Sequence, residues 1–503
     1  MGQQQNHARA GMFSRTALIA LFMTVLCSAG SGLVYADGLS LEEAVKTGIA
    51  TNPEIGSAAN RKGTTEAQLT QTRALYLPSI DLTADAGYES TQTPVLPQTS
   101  LGRSRVSMTL TQLLFDGFGT VHEIKRQKAR DIAAGYRTLE TSELVALNIV
   151  SSFLNVKRRR LLMEVERENI ARHEELLKKI KDGTKRGKFN QGDLAQAASR
   201  LERAKVDFES VQRSLKEAES AYKDAVGLPP PEELDTPKFN VALLPGSLEE
   251  LLRQAKNNNP TLAALHADFQ TAAAAHASSD AGFYPRVSLE MTGEKGRNLS
   301  GIRGQEESGS ALVVMRWNLF RGGADKARMK ETLHEKISTG FDAETAERAL
   351  EQNINDTWAA RDAARKQMDA FKRQEKADKK VLEAYEDQFQ IGRRTLLDLL
   401  DSTNALSASQ SNRINATYSA LFANYRLLAL SGGLMNALDA PPPSYENIPL
   451  PPLMLKSMGL IAARKDPDSK RKLLTSTTAE TAQDATQATP CPNEEEECAV
   501  VTN

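Results

Sequence analysis

Two aspartates three residues apart, Asp398 and Asp401, are the strongest candidates for chemistry in this 503-residue chain. At that spacing both carboxylates fall on one face of a helix. In a single chain such a pair is ordinarily a solvated face. Repeated around a symmetry axis, each position becomes a ring of like charges that attracts cations and repels its own copies. The other reactive groups are dispersed. Six histidines (His7, His122, His173, His266, His276 and His334) show no metal-ligand spacing and no glutamate in register. Gly183 to Lys188 superficially resembles a phosphate loop, but it has one residue too few between its glycines. Phe189 also stands where a hydroxyl is needed, and helical sequence precedes it, so it reads as a helix–helix turn. No serine or cysteine nucleophile motif is present. The chain reads as a non-enzyme, with no cofactor and no metal.

The elements that must hold those carboxylates are marked by the prolines. Of 20 prolines, none lies between Pro97 and Pro229 or between Pro285 and Pro441. Both stretches are rich in Ala, Leu, Glu, Lys, Arg and Gln, and proline breaks helix interiors, so both predict very long helices. Phe118 to Asp182 as one helix of about 65 residues would reach roughly 100 Å. After the glycine-rich turn comes a heptad seam. Leu194, Leu201, Phe208, Leu215 and Tyr222 are spaced seven apart, each followed three residues later by Ala197, Ala204, Val211, Ala218 or Ala225. Large residues alternating with small ones along a seam predict closely packed helices. Length alone implies about three or four domains, an expectation that these helices replace. Lys+Arg 63 against Asp+Glu 64 gives no electrostatic case for nucleic acid. A mean hydropathy of -0.43, with no long apolar run after the N-terminus, excludes a polytopic helical membrane protein.

Before each helical stretch lie short alternating segments. In Ser79–Tyr88 the apolar Ile80, Leu82, Ala84, Ala86 and Tyr88 alternate with polar residues or glycine, and Val106, Met108 and Leu110 continue the pattern. Val287, Leu289 and Met291, then Ala311, Val313, Met315, Trp317 and Leu319, repeat it. About ten residues of strict alternation suit a strand with lipid on one side and water on the other, and equally a half-buried soluble sheet. Four membrane strands cannot close a barrel, and an open edge in lipid leaves backbone groups unpaired, so the membrane reading demands oligomerisation. Three chains would supply twelve strands, enough for a water-filled pore.

The chain repeats itself once. Asn52-Pro53 recurs as Asn259-Pro260 and Leu77-Pro78 as Tyr284-Pro285, at an offset of 207. Leu114-Phe115-Asp116-Gly117 recurs as Leu319-Phe320-Arg321-Gly322, and Gly187, Asp193-Leu194 and Gly227 as Gly392, Asp398-Leu399 and Gly432, at an offset of 205. The predicted organisation is therefore a first repeat over 37–240, with strands near 79–90 and 104–115 and long helices over 118–227. A second repeat covers 241–440, with strands near 286–294 and 310–320 and helices over 323–432. A Pro-rich, then polar, tail predicted to be disordered fills 441–503. Residues 1–36 read as a secretory signal: Arg9 and Arg15, an apolar Ala17–Cys27 core, and Val34-Tyr35-Ala36 before the cut. Met12 is a second possible start. Leu26 before Cys27 is too bulky for a lipidation site, and Cys491 and Cys498 alone would remain, able to pair in an oxidising compartment.

With these residues in place, the chain resembles the TolC family of outer-membrane export ducts over nearly all of 38–440. Most specific is Phe389-Gln390-Ile391-Gly392-Arg393-Arg394-Thr395-Leu396-Leu397-Asp398-Leu399-Leu400-Asp401, which is similar to the family's second periplasmic hairpin tip. The resemblance implies a mainly α fold with a small β part, assembled as a homotrimer. A twelve-stranded barrel would sit in outer-membrane lipid, continuous with a helical barrel that docks onto a periplasmic adaptor and an inner-membrane transporter. It further implies that Asp398 and Asp401 form acidic gate rings, that Arg394 restrains the gate, and that Asp193 is an acidic partner for such links. Gly187, Lys188, Gly392 and Arg393 fall at the adaptor-docking tips. Phe389 stands where the family can have tyrosine, and Lys188-Phe189 departs from an apolar tip pattern. The function expected is a passive exit duct of a type I secretion or tripartite efflux system in the outer membrane, on the secretion branch. The alternative is a periplasmic coiled-coil spacer or adaptor without a pore, which would not need lipid-facing strands.

Overall fold

Helix boundaries in this chain follow its capping residues. The computed structural model describes residues 39–92, 94, 98–441 and 444; the signal segment, Cys27, Cys491, Cys498 and the tail beyond lie outside them. The first repeat runs α1 (Leu41–Thr51), α2 (Pro53–Arg73), β1 (Ser79–Thr91), β2 (Thr99–Phe115), α3 (Gly119–Lys185) and α4 (Gln191–Val226). The second runs α5 (Leu248–Asn258), α6 (Pro260–Ser279), β3 (Arg286–Arg297), β4 (Gln305–Arg316), α7 (Ala324–Gln390) and α8 (Leu396–Leu430), closed by a short α9 (Leu434–Ala437). Both Asn-Pro landmarks are helix starts: Asn52 and Asn259 accept backbone N–H bonds through their side chains, with proline in the first turn. Ser40 and Ser247 start α1 and α5 in the same way.

The four strands form one antiparallel sheet in the order β1-β2-β3-β4. Directly paired residues share a face, so the register sorts the side chains. Ile80 pairs with Leu110, Leu110 with Met291 and Met291 with Ala311, placing the alternating apolar residues of all four strands on one face. That face is bare: Leu82 is 66% exposed and Tyr88 85%. The opposite face is knit by polar contacts across the strands. Arg103 reaches Asp85 (2.9 Å) and Glu89 (3.1 Å), Arg105 reaches Asp85 (2.8 Å), and Thr109 meets Thr292 (3.3 Å).

Five strand limits differ from those read in the sequence. The fourth strand, expected to reach 320, stops at Arg316 because its partner begins at Arg286, immediately after Pro285, which has no N–H to offer. Trp317 instead donates its ring N–H to the Phe283 carbonyl (3.2 Å). At the turn ends the ladder runs further than expected, to Thr91↔Thr99 and Arg297↔Gln305, through polar residues whose alternation carries no hydrophobic signal.

The helices pack in two separate cores. The larger draws on every helix from α1 to α9, around Ile149, Phe153, Tyr222, Leu427 and Leu434. The heptad seam of α4 faces inward as read: seven of its ten residues are buried, and Leu194, Phe208 and Val211 are half-buried. A smaller core at the far helix ends joins Leu176, Ile180, Ala197, Leu382, Leu396 and Leu400. No described helix is long and apolar enough to cross a membrane.

Glu143 of α3 is buried in the larger core, where one carboxylate oxygen accepts the Met435 backbone N–H (3.3 Å). Burial outweighs that bond and raises its pKa from 4.5 to about 7. A carboxyl whose folded-state pKa is raised favours the fold while protonated and loses that contribution as pH climbs from 4.5 towards 7. Glu143→Gln is therefore expected to raise the unfolding temperature at pH 8, by about 2–4 °C for each kcal/mol recovered, and to leave it unchanged at pH 4. Melting curves at the two pH values check this.

Candidate functional site

The two long hairpins, α3–α4 and α7–α8, end in turns built alike. At the first, Lys188 N–H bonds the Gly183 carbonyl (2.8 Å) and Gly187 N–H bonds Thr184 (3.0 Å). At the second, Arg393 N–H bonds Gln388 (2.8 Å) and Gly392 N–H bonds Phe389 (3.1 Å). This is the six-to-one and five-to-two pattern of a Schellman stop, with Gly187 at φ 73° and Gly392 at φ 76°, where a side chain would be strained. Three residues after each glycine the next helix opens with a capping box, Asn190 with Asp193 and Thr395 with Asp398.

Asp193 and Asp398 are thus both third helical residues of their boxes. Asp398 takes the Thr395 hydroxyl (2.8 Å) and backbone N–H (3.2 Å), and these bonds, with Arg394 nearby, hold its carboxyl below the usual range. Asp401 lies one turn on and is free of the cap. It approaches Arg200 of α4 at 3.6 Å, which links the two hairpins. Within one chain the structure does not bring Arg394 to Asp193. Arg394 lies over the Tyr385 ring (4.2 Å), donates to Gln388 (3.0 Å) and approaches Asp398 (3.9 Å), all within its own hairpin. Asp193 instead receives the Asn190 backbone N–H (3.1 Å).

Besides the Arg200–Asp401 approach, two further contacts are not evident from the sequence. Phe189 and Phe389 stack across the hairpins with ring centroids 5.5 Å apart and planes 5° from parallel. Phe189 also lies over Gly183, where an added Cβ would meet its ring at 2.4 Å. Lys188 sits at the edge of this stack, 5.7 Å from the Phe189 centroid and 3.5 Å from the Gln390 carbonyl. About three turns further from the tip along α3, His173 is 2% exposed and contacts Asn404 of α8 (3.3 Å). Burial, with Arg172 and Arg200 nearby, lowers its pKa, so it is neutral at pH 7. The signal for the aromatic pair was two phenylalanines in an otherwise polar tip.

At the other end of the long helices, aromatic and apolar side chains ring the strand–helix junction. Tyr284, Trp317, Leu319 and Phe320 are exposed there, and Tyr88 is exposed at the turn end of the sheet. Two aromatic levels bounding a bare apolar band are the lipid-facing plan of a membrane strand. The charged groups at the tips lie on the helical side, away from that band.

The model of the family "Outer membrane efflux protein" matches residues 45–228 and 251–433, one match for each repeat. The outer membrane protein TolC of Vibrio cholerae is 24% identical over 428 residues, covering 83% of this chain and 95% of that protein. The outer membrane efflux protein BepC of Brucella suis is 22% identical over 361 residues, covering 72% and 78%. A crystal structure of a membrane protein from Pseudomonas aeruginosa superposes with a TM-score of 0.72 at 18% identity, covering 78% of this chain and 90% of that one.

The cap geometry separates the two aspartates. Asp398→Asn is expected to weaken the start of α8, by about 1 kcal/mol for a damaged cap, and to speed amide exchange over residues 395–400. Asp401→Asn should leave exchange there unchanged. Residue-resolved hydrogen exchange on both variants is the check. The chain belongs to the outer membrane efflux protein family: it is an outer-membrane exit duct with its helical part in the periplasm, a passive channel and not an enzyme.

Proposed function

We propose that three copies of this chain form one duct, the exit of a type I secretion or tripartite efflux system that a periplasmic adaptor joins to an inner-membrane transporter. The observation that carries this reading is the sheet. It has one charged, hydrogen-bonded face, one bare apolar face and two open edges, β1 and β4. In lipid those edges need partners, and the β4 edge of one copy against the β1 edge of the next supplies them. The polar face then lines a water-filled barrel of twelve strands. A periplasmic spacer gives no reason for four strands with a bare apolar face bounded by aromatics.

At the helical end, the proposed gate comprises Asp398, Asp401, Arg394 and Asp193, and the proposed docking surface comprises the Schellman turns with Gly187, Lys188, Gly392 and Arg393. Three copies of Asp401 would give an acidic ring that draws cations. The Arg200–Asp401 contact and the Phe189–Phe389 stack restrain one hairpin against the other, so opening must break an ionic and an apolar contact together. Exposed turns with fixed backbone geometry suit a docking partner that packs against backbone at the two glycines.

Planar-bilayer recording tests the reading. The wild-type protein is expected to give stepwise, cation-preferring conductance, and Asp398→Asn/Asp401→Asn to lose most of that preference. Phe189→Ala/Phe389→Ala should raise the mean conductance severalfold, and Phe389→Tyr should not. A soluble monomer in sedimentation with no conductance steps would sink the channel reading. Selectivity unchanged in the double asparagine variant would remove the aspartates from the gate.

A further inference from the structure

The apolar face of the sheet is free of charge except in one corner. The polar face carries Asp85, Glu89, Arg103, Arg105, Glu290 and Glu294 among others, whereas the described apolar face carries only Lys295, Arg297 and Glu307. All three lie at the turn end of the β3–β4 hairpin, the end away from the helices. Lys295 faces Glu307 across the strands at 2.5 Å. Arg297 is exposed and forms no ion pair among the described residues; its row neighbours are Gln305 on β4, Ser104 on β2 and, one strand further, Ala86 on β1. These short or neutral side chains leave the guanidinium uncovered. Arg303, in the connecting turn, is equally exposed and without an ion pair among the described residues.

The height of this corner follows from the register. The row Ile80–Leu110–Met291–Ala311 is the helix-side end of the apolar run on β1 and β2, and its turn-side end on β3 and β4. A level membrane therefore cuts the sheet obliquely, as strands tilted by about 35–45° require. On that slant Lys295 and Arg297 come just beyond the apolar band, near the level of Tyr88 on β1. Since the helical part lies in the periplasm, this level is the outer headgroup layer.

The structure assigns to this corner the binding of a phosphomonoester on an outer-leaflet glycolipid. With Lys295 held by Glu307, Arg297 and Arg303 are the cations here without an ion pair among the described residues, and together they attract a dianionic phosphate. Arg297 presents a planar fork suited to two of its oxygens, and Ser104 and Gln305 beside it offer hydrogen bonds to sugar hydroxyls. A membrane phosphodiester carries one negative charge and gives the corner less to hold. The assignment rests on the apolar face being the lipid face, and the channel readout below tests that separately.

The experiment uses the full-length protein extracted from membranes, with lipid A carrying both phosphates, dephosphorylated lipid A and phosphatidylglycerol as probes, each counted by native mass spectrometry. Bisphosphorylated lipid A is expected to be retained, and the other two lost at equal activation. Arg297→Gln/Arg303→Gln should reduce retention about tenfold, the scale of two lost exposed ion pairs, while Arg297→Lys/Arg303→Lys, which keeps the charge without the fork, should fall between that variant and wild type. Conductance in bilayers should stay at the wild-type value in both variants, which separates a lost lipid contact from a lost channel. Retention unchanged in the glutamine variant, or phosphatidylglycerol held as firmly as lipid A, would overturn the assignment.

Discussion

A sheet edge in hydrocarbon exposes a row of N–H and C=O groups with nothing to bond, each costing several kcal/mol. Everything distinctive about this chain follows from having two such edges and only four strands. The chain cannot satisfy β1 and β4 by itself, since they stand at opposite sides of its sheet. The proposed ring of three satisfies both with one repeated contact. It also explains why the polar face is so fully engaged: groups that face a lumen bond one another across strands, and the face that meets lipid has nothing to bond. The bare apolar residues, an aggregation hazard in water, are then the surface that holds the protein in the membrane.

The tips obey a different rule, because there the constraint is to stop one long helix and start another within five residues. Glycine supplies the stop and a short polar side chain the restart, and two of the aspartates that resemble free gate charges, Asp193 and Asp398, are first caps. Asp398 is committed to Thr395, so its charge is stabilised but its geometry is fixed. Asp401 has no backbone duty and can change partners without cost to the helix. The stacked phenylalanines add an apolar contact between the same hairpins. Apolar stacking is insensitive to salt, whereas the Arg200–Asp401 pair weakens with it, so the hairpins are held by two forces with different dependences on the medium.

The architecture was legible in the sequence because its signals are local and repeated. Proline spacing, the strict alternation of Ile80 to Tyr88 and the heptads of α4 each report one element directly. The caps were visible as landmarks before their role was: Asn52-Pro53, Gly187 and Asp193 recur because helix ends must be specified twice. What escaped were contacts between unlike positions. The repeat partner of Phe189 is Arg394, and that of Phe389 is Thr184, so the stack joins residues that the internal symmetry never aligns. Arg200 was hidden for the same reason, as a heptad flank whose partner lies two hundred residues on. The strand end at Arg316 was misread because alternation continued to Leu319 while the partner strand had already met a proline.

The tip contacts set a strict condition on length. Helices α3 and α7 each have 67 residues, about 100 Å of rise, and both ends of these helices and the starts of α4 and α8 keep the offset of 205. The change from 207 falls between Pro78 and Leu114, within the first strand hairpin. The connecting segments are equally long, residues 92–98 and 298–304, so the extra length lies in the longer strands of the first hairpin, which extend it without moving any helix. In either long helix two residues would move its tip by about 3 Å and rotate it by roughly 200°, carrying Phe189 away from Phe389 and Arg200 away from Asp401. The two repeats are therefore free to diverge where the chain meets the outside. They are bound to equal length along the helices, because only equal helices bring two asymmetric tips to the same level.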